Sequence, residues 1–448
     1  MNILILNASP KGKYSITIQT SLYLQKLYPA HNFTILHVGQ LLRKYEKDFS
    51  EITEVISAND LIVFSYPVYT FLAPYQLHRF IELMKEHGVS LAGKFATQIS
   101  TSKHFYDVTA HKCIEENCYD FGANYIPGLS ADMDDLLSEK GQLQAQSFLD
   151  KVVFDIEHSI YTSKPVTETF VPTRYQSVCH APVLKTGQKD IVIVTNAAPD
   201  DHNLNQMIAD FKAMTIHPVR EINLRDFPFS GGCLGCLNCA TTAKCIYKDG
   251  FDDFLRNDIQ IADAIIYAFT IENHYTHASF KCYDDRQFCN GHRSVTEGMP
   301  VGYIISGDYA HESNVQTLVN ARSEVGGVYL SGVATDEVHP FHTVSQLVDS
   351  LEYALSNVIL KPSNFYAVGG GKIFRDLVYL MQGMMKADHK FYKEHDVYDF
   401  PQSRPFYIFK MKLIGFMLGQ ESIQKKLKGK LNQYMIAPYD KVIEEAGK

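Results

Sequence analysis

The stretch Ile3-Leu4-Ile5-Leu6-Asn7-Ala8-Ser9-Pro10 returns 189 positions later as Val192-Ile193-Val194-Thr195-Asn196-Ala197-Ala198-Pro199, an apolar run ending in the same Asn-Ala-x-Pro turn. A second pair, Asp60-Leu61-Ile62-Val63-Phe64-Ser65-Tyr66 and Asp263-Ala264-Ile265-Ile266-Tyr267-Ala268-Phe269, lies 203 apart, and a third, Gly93–Ser102 with Gly298–Gly307, lies 205 apart. Apolar runs that do not alternate with polar residues read as strands buried on both faces, and that burial belongs to parallel strands covered by helices. Helical periodicity fills the intervals at Ile16–Tyr28 and Pro74–His87 in the first copy, and at Asn205–Met214 and Val315–Val325 in the second. The expectation is an α/β chain with a doubly wound parallel-sheet domain built twice, followed by a helical extension. The jump in offset from 189 to 203 gives the second copy 14 extra residues, and the interval contains Cys233–Cys245, a window with four of the nine cysteines. The cysteine segment therefore reads as an insertion into a duplicated domain.

Outward from the repeat, the boundaries are expected at 1–156 for the first domain, 157–187 for a linker with Pro165, Pro172 and Pro182, 188–361 for the second domain and 362–448 for the extension. A length of 448 residues suits such a division, and 46% apolar with 21% charged residues excludes disordered and fibrous classes. A formal charge of −8 argues against a nucleic-acid partner and leaves small-molecule chemistry as the default. Met1–Leu6 has no basic leader and reads as a strand, and the longest apolar run, Phe406–Met417, is broken by Lys410 and Lys412. A cytoplasmic protein without a transmembrane segment is expected. In that reducing setting a bunched cysteine quartet points to a metal or redox site, whereas Cys113, Cys118, Cys179, Cys282 and Cys289 read as unpaired thiols. In the extension, Gly369-Gly370-Gly371-Lys372 reads as a flexible hinge, and Lys425, Lys426, Lys428 and Lys430 as the solvated face of a basic helix.

Ligands in open α/β sheets bind beyond the carboxyl ends of the strands. After the first strand comes Asn7-Ala8-Ser9-Pro10-Lys11-Gly12-Lys13-Tyr14-Ser15-Ile16-Thr17, whose hydroxyls, lysines and helix N-terminus suit a phosphate dianion. It is neither a Gly-x-Gly-x-x-Gly loop nor a Walker loop. After the next matched strand, Tyr66-Pro67-Val68-Tyr69-Thr70-Phe71-Leu72-Ala73-Pro74 offers a flat apolar wall. These two motifs together resemble those of the flavodoxin-like NAD(P)H-dependent FMN reductases. The resemblance implies Ser9, Lys11, Ser15 and Thr17 for the FMN phosphate, Pro67, Val68, Tyr69 and Thr70 for the isoalloxazine, and Thr101 and Ser102 at the ring edge. It implies NAD(P)H as co-substrate, and pairing of domains as a homodimer or within one chain. In the second copy Asp200 and Asp201 replace the lysines and Thr270-Ile271-Glu272 replaces the apolar wall, although Lys281, Asp285 and Arg286 still resemble the helix that follows in the family.

The cysteines follow C-x2-C-x2-C-x5-C at Cys233, Cys236, Cys239 and Cys245. Two-residue spacings let successive thiolates converge from one wrap of chain, which favours a [4Fe–4S] cluster over a zinc site with two distant ligand pairs or a vestigial site. The segment resembles the compact motif of iron–sulfur flavoproteins. The expected protein is a flavin-dependent oxidoreductase passing electrons between a reductant, FMN and the cluster, with the first copy's flavin facing the second copy's cysteines. Two alternatives stay open: a zinc-stapled, non-catalytic scaffold, and an FMN electron carrier without its own substrate.

Overall fold

The computed structural model describes residues 1–164, 170, 172–179 and 181–420. The first domain runs β1 (Asn2–Asn7), α1 (Ile16–Leu27), β2 (Asn32–Leu36), α2 (Leu42–Tyr45), α3 (Ser50–Ser57), β3 (Leu61–Pro67), α4 (Tyr75–Glu86), β4 (Phe95–Ser102), α5 (Asp107–Asp120), β5 (Asn124–Tyr125), β6 (Leu129–Asp132) and α6 (Glu139–Glu157). The second runs β7 (Ile191–Thr195), α7 (His202–Met214), β8 (Val219–Asn223), the short α8 (Asn238–Thr242) and α9 (Phe251–Asp253), β9 (Ala264–Thr270), α10 (Ala278–Arg286), β10 (Pro300–Ser306), α11 (Ser313–Gly326), β11 (Tyr329–Thr335) and α12 (Pro340–Ser356). Helices α13 (Phe365–Leu380), α14 (Lys386–Glu394) and α15 (Pro405–Leu418) follow.

Both sheets are parallel and share one strand order, β2-β1-β3-β4-β5 in the first and β8-β7-β9-β10-β11 in the second. This is the flavodoxin-like order 2-1-3-4-5. The opening strand of each sheet is buried on both sides, as its unbroken apolar run requires. Leu4 and Leu6 enter one core and Ile3 and Ile5 another, while Val192 and Val194 separate in the same way from Ile191 and Ile193. Each such side chain contributes about 1.5–3 kcal/mol on burial, so a register slip in either strand is heavily penalised. Between β2 and β3 there are 24 residues, and between β8 and β9 there are 40, the cysteine segment among them.

The two domains share a core. Phe71, Leu72 and Cys113 of the first lie in one cluster with Val192, Phe269, Tyr275 and Phe280 of the second. Helix α4 packs on α10 and α5 on α11, so equivalent helices meet each other. Their polar contacts come in reciprocal pairs. The Tyr75 amide donates to Asp285 Oδ2 at 2.7 Å and the Ala278 amide to Glu82 Oε1 at 2.5 Å, each helix supplying the acceptor for the other's free N-terminal donor. Ala278 follows Tyr75, and Asp285 follows Glu82, by the 203 positions that relate the repeated strands. Likewise Asn117 Nδ2 reaches the Asn273 carbonyl at 3.0 Å, and Arg322 Nη2 the Thr70 carbonyl at 3.4 Å. Such reciprocity is the signature of an isologous, two-fold-like interface, here made within one chain.

The Gly369–Lys372 segment is not a hinge: it lies inside α13. A Cβ on Gly370 would stand 2.8 Å from Val325 and 2.9 Å from Phe105, so glycine is what lets the helix close on the aromatic side chains at the domain junction. The chain divides into two compact units, Met1–Phe391 and the segment from Tyr392 onward. In the latter, α15 carries the Phe406–Met417 run, and among the described residues no helix is long and apolar enough to cross a membrane. The basic stretch with Lys425, Lys426, Lys428 and Lys430 lies outside the described residues.

Candidate functional site

The loop between β1 and α1 is closed by its own polar groups. Asn7 Nδ2 donates to the Gly12 carbonyl at 2.9 Å, and Ser9 Oγ accepts from the Lys11 amide at 3.3 Å. Ser15 is the N-cap of α1, yet its hydroxyl makes no capping bond, which leaves the first-turn amides of a 12-residue helix for another acceptor. With Lys11 and Lys13 exposed beside them, these donors form an anion cradle backed by the helix dipole. Thr17 is buried, and its hydroxyl meets that of Thr101 at 2.5 Å, tying this loop to the end of β4. Ser102 Oγ accepts from the His104 amide at 2.8 Å.

The adjoining loop after β3 is strained. Val68 donates to the Thr101 carbonyl at 3.1 Å, and Tyr69 and Leu72 exchange backbone bonds of 2.7 and 3.1 Å across a tight turn. Within that turn Thr70 and Phe71 have φ of 42° and 71°, a left-handed pair that costs a β-branched residue about 1–3 kcal/mol. The strain is held from the other domain. Lys281 Nζ donates to the Tyr69 carbonyl at 2.9 Å and to Thr70 Oγ1 at 3.0 Å, and Thr70 Oγ1 donates to Asp285 at 2.5 Å. Lys281 and Asp285 are themselves ion-paired and fully buried, and burial pushes the Asp285 carboxyl above the usual range despite its partner. Thr70 thus fixes the shape of the loop, leaving Pro67, Val68 and Tyr69 as the wall.

Tyr69 points at the cysteine segment. A Cβ on Gly235, between Cys233 and Cys236, would overlap the Tyr69 hydroxyl and stand 3.6 Å from Lys11 Cε. Gln76 Nε2 donates to the Cys233 carbonyl at 3.3 Å, and Arg43 donates to the Ser230 carbonyl. Two sites read from separate copies of the repeat therefore abut in space, because the domains pair through α4 and α10.

The segment is anchored by Arg286. Its guanidinium binds Asp249 through both nitrogens at 2.9 and 2.7 Å, donates to the Gly231 carbonyl at 2.9 Å and lies over the rings of Tyr247 and Phe251. One buried cation thus holds the chain before Cys233 and after Cys245. Although desolvation alone would raise the Asp249 pKa, the Arg286 hydrogen bonds hold it at about 2. The Gly235 amide donates to Cys233 Sγ at 3.4 Å. Burial pushes the Cys233 thiol well up and that of Cys239 to about 11, so a cation must offset the charge of the thiolates that ligation requires. No three of the four sulfurs lie within 4.8 Å of one another. Over this loop lies the start of the extension: Thr241 Oγ1 donates to the Met384 carbonyl at 2.6 Å, and Asp388, fully buried, accepts from His292 and Arg293.

The second copy's cradle is filled from within. Asp201 accepts from the Ala198 amide at 2.6 Å and from Thr270 Oγ1 at 3.4 Å, placing a carboxylate where an anion would otherwise bind. Its loop after β9 repeats the strained turn at Asn273 and His274, with φ of 52° and 63°.

Sequence reading missed the roles of Lys281, Asp285 and Arg322 as holders of the first domain's loop. It also missed Phe288, whose ring meets that of Tyr69 edge-on at 6.1 Å. Four charged residues within Lys281–Arg286 were visible, but nothing in sequence says that this helix is buried.

Residues 1–117 match a family described as flavodoxin-like fold. The match lies within the first domain and covers about a quarter of the chain. No curated protein matches the chain. Among solved structures, it is similar to general stress protein 14 from Treponema denticola in complex with FMN, at 16% identity over 34% of this chain and 98% of that one, with a TM-score of 0.29. It is also similar to an FMN-dependent NADH-azoreductase from Bacillus anthracis, at 16% identity over 36% and 100% with a TM-score of 0.25, and to an NAD(P)H:quinone oxidoreductase from Methanothermobacter marburgensis, at 13% over 35% and 96% with a TM-score of 0.28.

If FMN lies along the Pro67–Tyr69 wall, removing that wall loosens it. Tyr69→Ala gives up an aromatic contact of about 0.5–1.5 kcal/mol and should weaken FMN binding about 2- to 12-fold, measured by fluorescence titration of stripped protein. Unchanged affinity would mean that the flavin sits elsewhere.

Proposed function

We propose that the chain is an FMN-containing oxidoreductase whose flavin site belongs to the first domain and whose [4Fe–4S] site belongs to the second. NAD(P)H is the expected co-substrate, and a small molecule or protein is the electron partner. The observation that carries this reading is the seating of Gly235 against Tyr69 and Lys11, which sets the cysteine segment on the flavin loops. The donor set suits the phosphate: Ser9, Lys11, Ser15 and Thr17 surround an uncapped helix N-terminus. Pro67, Val68 and Tyr69 supply the ring wall, with Thr101 and Ser102 at its edge. FMN accepts a hydride and releases electrons singly, which is the chemistry needed between a nicotinamide and a one-electron centre.

The protein's own part is positional. Lys281, Asp285 and Arg322 hold the Tyr69–Leu72 turn in shape, and Arg286 closes the cysteine loop and places a fixed positive charge beside it. That charge and the Gly235 amide favour the more reduced, more negative state of a thiolate-bound centre. Residues Met384–Asp388 cover one side of the loop, limiting its contact with water.

The test is the absorption spectrum and iron, zinc and flavin content of anaerobically purified protein. Flavin bands over a broad shoulder that bleaches on reduction are expected. Flavin without iron would remove the cluster, and a colourless zinc protein would leave the scaffold; either result overturns the proposal.

A further inference from the structure

At the domain junction, the second copy's strained turn puts His274 among three carboxylates. We propose that Glu116, His274 and Glu312 form a divalent-metal site joining the two domains, with Asp120 orienting the imidazole. One ligand atom from each of the three lies within 4.8 Å of the others. His274 Nδ1 stands 2.7 Å from Glu312 Oε1 and 3.4 Å from Glu116 Oε2. Its other nitrogen, Nε2, faces Asp120 Oδ2 at 3.1 Å, the arrangement by which a metal-bound histidine donates its remaining N–H to a carboxylate. Asp120 is fixed in turn by Lys85 at 2.9 Å and Lys164 at 2.8 Å.

The carboxylates show what is missing. Glu116 Oε2 and Glu312 Oε2 are both shut off from solvent, and neither has a hydrogen-bond donor. Buried carboxylate oxygens without donors are costly, and their proximity to one another and to an imidazole nitrogen defines a place for a cation. Lys112 approaches only the outer oxygen of Glu116, Oε1, at 3.5 Å.

The pseudo-two-fold supplies an internal control. The position 203 before His274 is Phe71, which makes the same turn and packs against Phe105 and Tyr106 at ring distances of 5.0 and 4.7 Å. An apolar residue therefore satisfies this turn and this interface, and the fold itself does not require the polar set around His274. Two carboxylates and one imidazole suit first-row divalent ions, from Mn²⁺ to Zn²⁺, and three protein ligands leave coordination positions open.

Mn²⁺ is the probe of choice, because carboxylates suit it and the thiolates of the cysteine loop do not. Titrating the holoprotein and following the free-ion paramagnetic resonance signal should reveal one Mn²⁺ per chain, displaced by Zn²⁺. Binding should be lost in Glu312→Gln and His274→Phe and weakened about 10- to 100-fold in Asp120→Asn, with flavin and iron contents unchanged. Mn²⁺ should also raise the melting temperature of the wild type and not that of Glu312→Gln, a readout that does not depend on the more disruptive variant folding. Absence of uptake by the wild type, or equal uptake by Glu312→Gln, would overturn the site and leave a protonated histidine as the cation. No residue of the flavin or cysteine loops takes part, so the outcome is independent of the oxidoreductase reading.

Discussion

Lys281→Met is expected to lower the unfolding free energy by about 3–5 kcal/mol, because it leaves the Asp285 carboxylate buried without a countercharge. Both side chains are fully buried, and Asp285 also accepts from Thr70 and from the Tyr75 amide, so it cannot turn toward water without breaking the cap of α4. The same substitution removes the ammonium that holds the Tyr69 carbonyl, so flavin retention should fall with stability. Pairing the change with Asp285→Leu removes both charges and should recover only part of the stability, because the Tyr75 amide and the Thr70 hydroxyl lose their acceptor, while flavin binding stays weak, since the left-handed Thr70–Phe71 turn is still unsupported. Urea unfolding of the single and double variants measures the first effect and fluorescence titration the second. A loss below about 1 kcal/mol in Lys281→Met would show that water reaches the pair and that the clamp on the loop is weak.

Cys236→Ser combined with Cys239→Ser should remove essentially all iron. A hydroxyl does not ionise near neutral pH as a ligating thiolate must, and two remaining sulfurs cannot hold a four-iron centre. Flavin content should be nearly unchanged, because the residues assigned to FMN come from the other domain. Elemental analysis and the visible spectrum of anaerobically purified protein decide it. Iron that survives both substitutions would move the site elsewhere, and loss of flavin together with iron would mean that the cysteine loop forms part of the flavin pocket. The second result has a structural route through Gly235, whose close approach to Tyr69 lets the two loops share a wall.

The parallel, helix-covered sheets were legible because both opening strands are unbroken apolar runs, and a run without alternation has a single environment in which both faces are satisfied. The cysteine spacing is a pattern of the same local kind, since it needs no partner from elsewhere in the chain. The glycine-rich segment at Gly369–Lys372 misled in the other direction. Glycine marks both a flexible joint and a close approach, and only the position of Val325 and Phe105 against Gly370 separates them. The C-terminal lysines remain outside the described residues.

Sequence by itself determined the α/β class with parallel, helix-covered sheets, and it marked out the loop after β1, the aromatic loop after β3 and the cysteine spacing, because each is a pattern carried by neighbouring residues. Tertiary structure decided which loops face each other. It showed that Lys281 and Asp285 of one domain hold the turn of the other, that Arg286 closes the cysteine segment, and that His274 stands among carboxylates from α5 and the start of α11. Those relations are non-local. Two helices separated by 203 residues in the chain make reciprocal contacts only after both domains have folded, and the electrostatics of a buried charge depends on the neighbours that burial supplies.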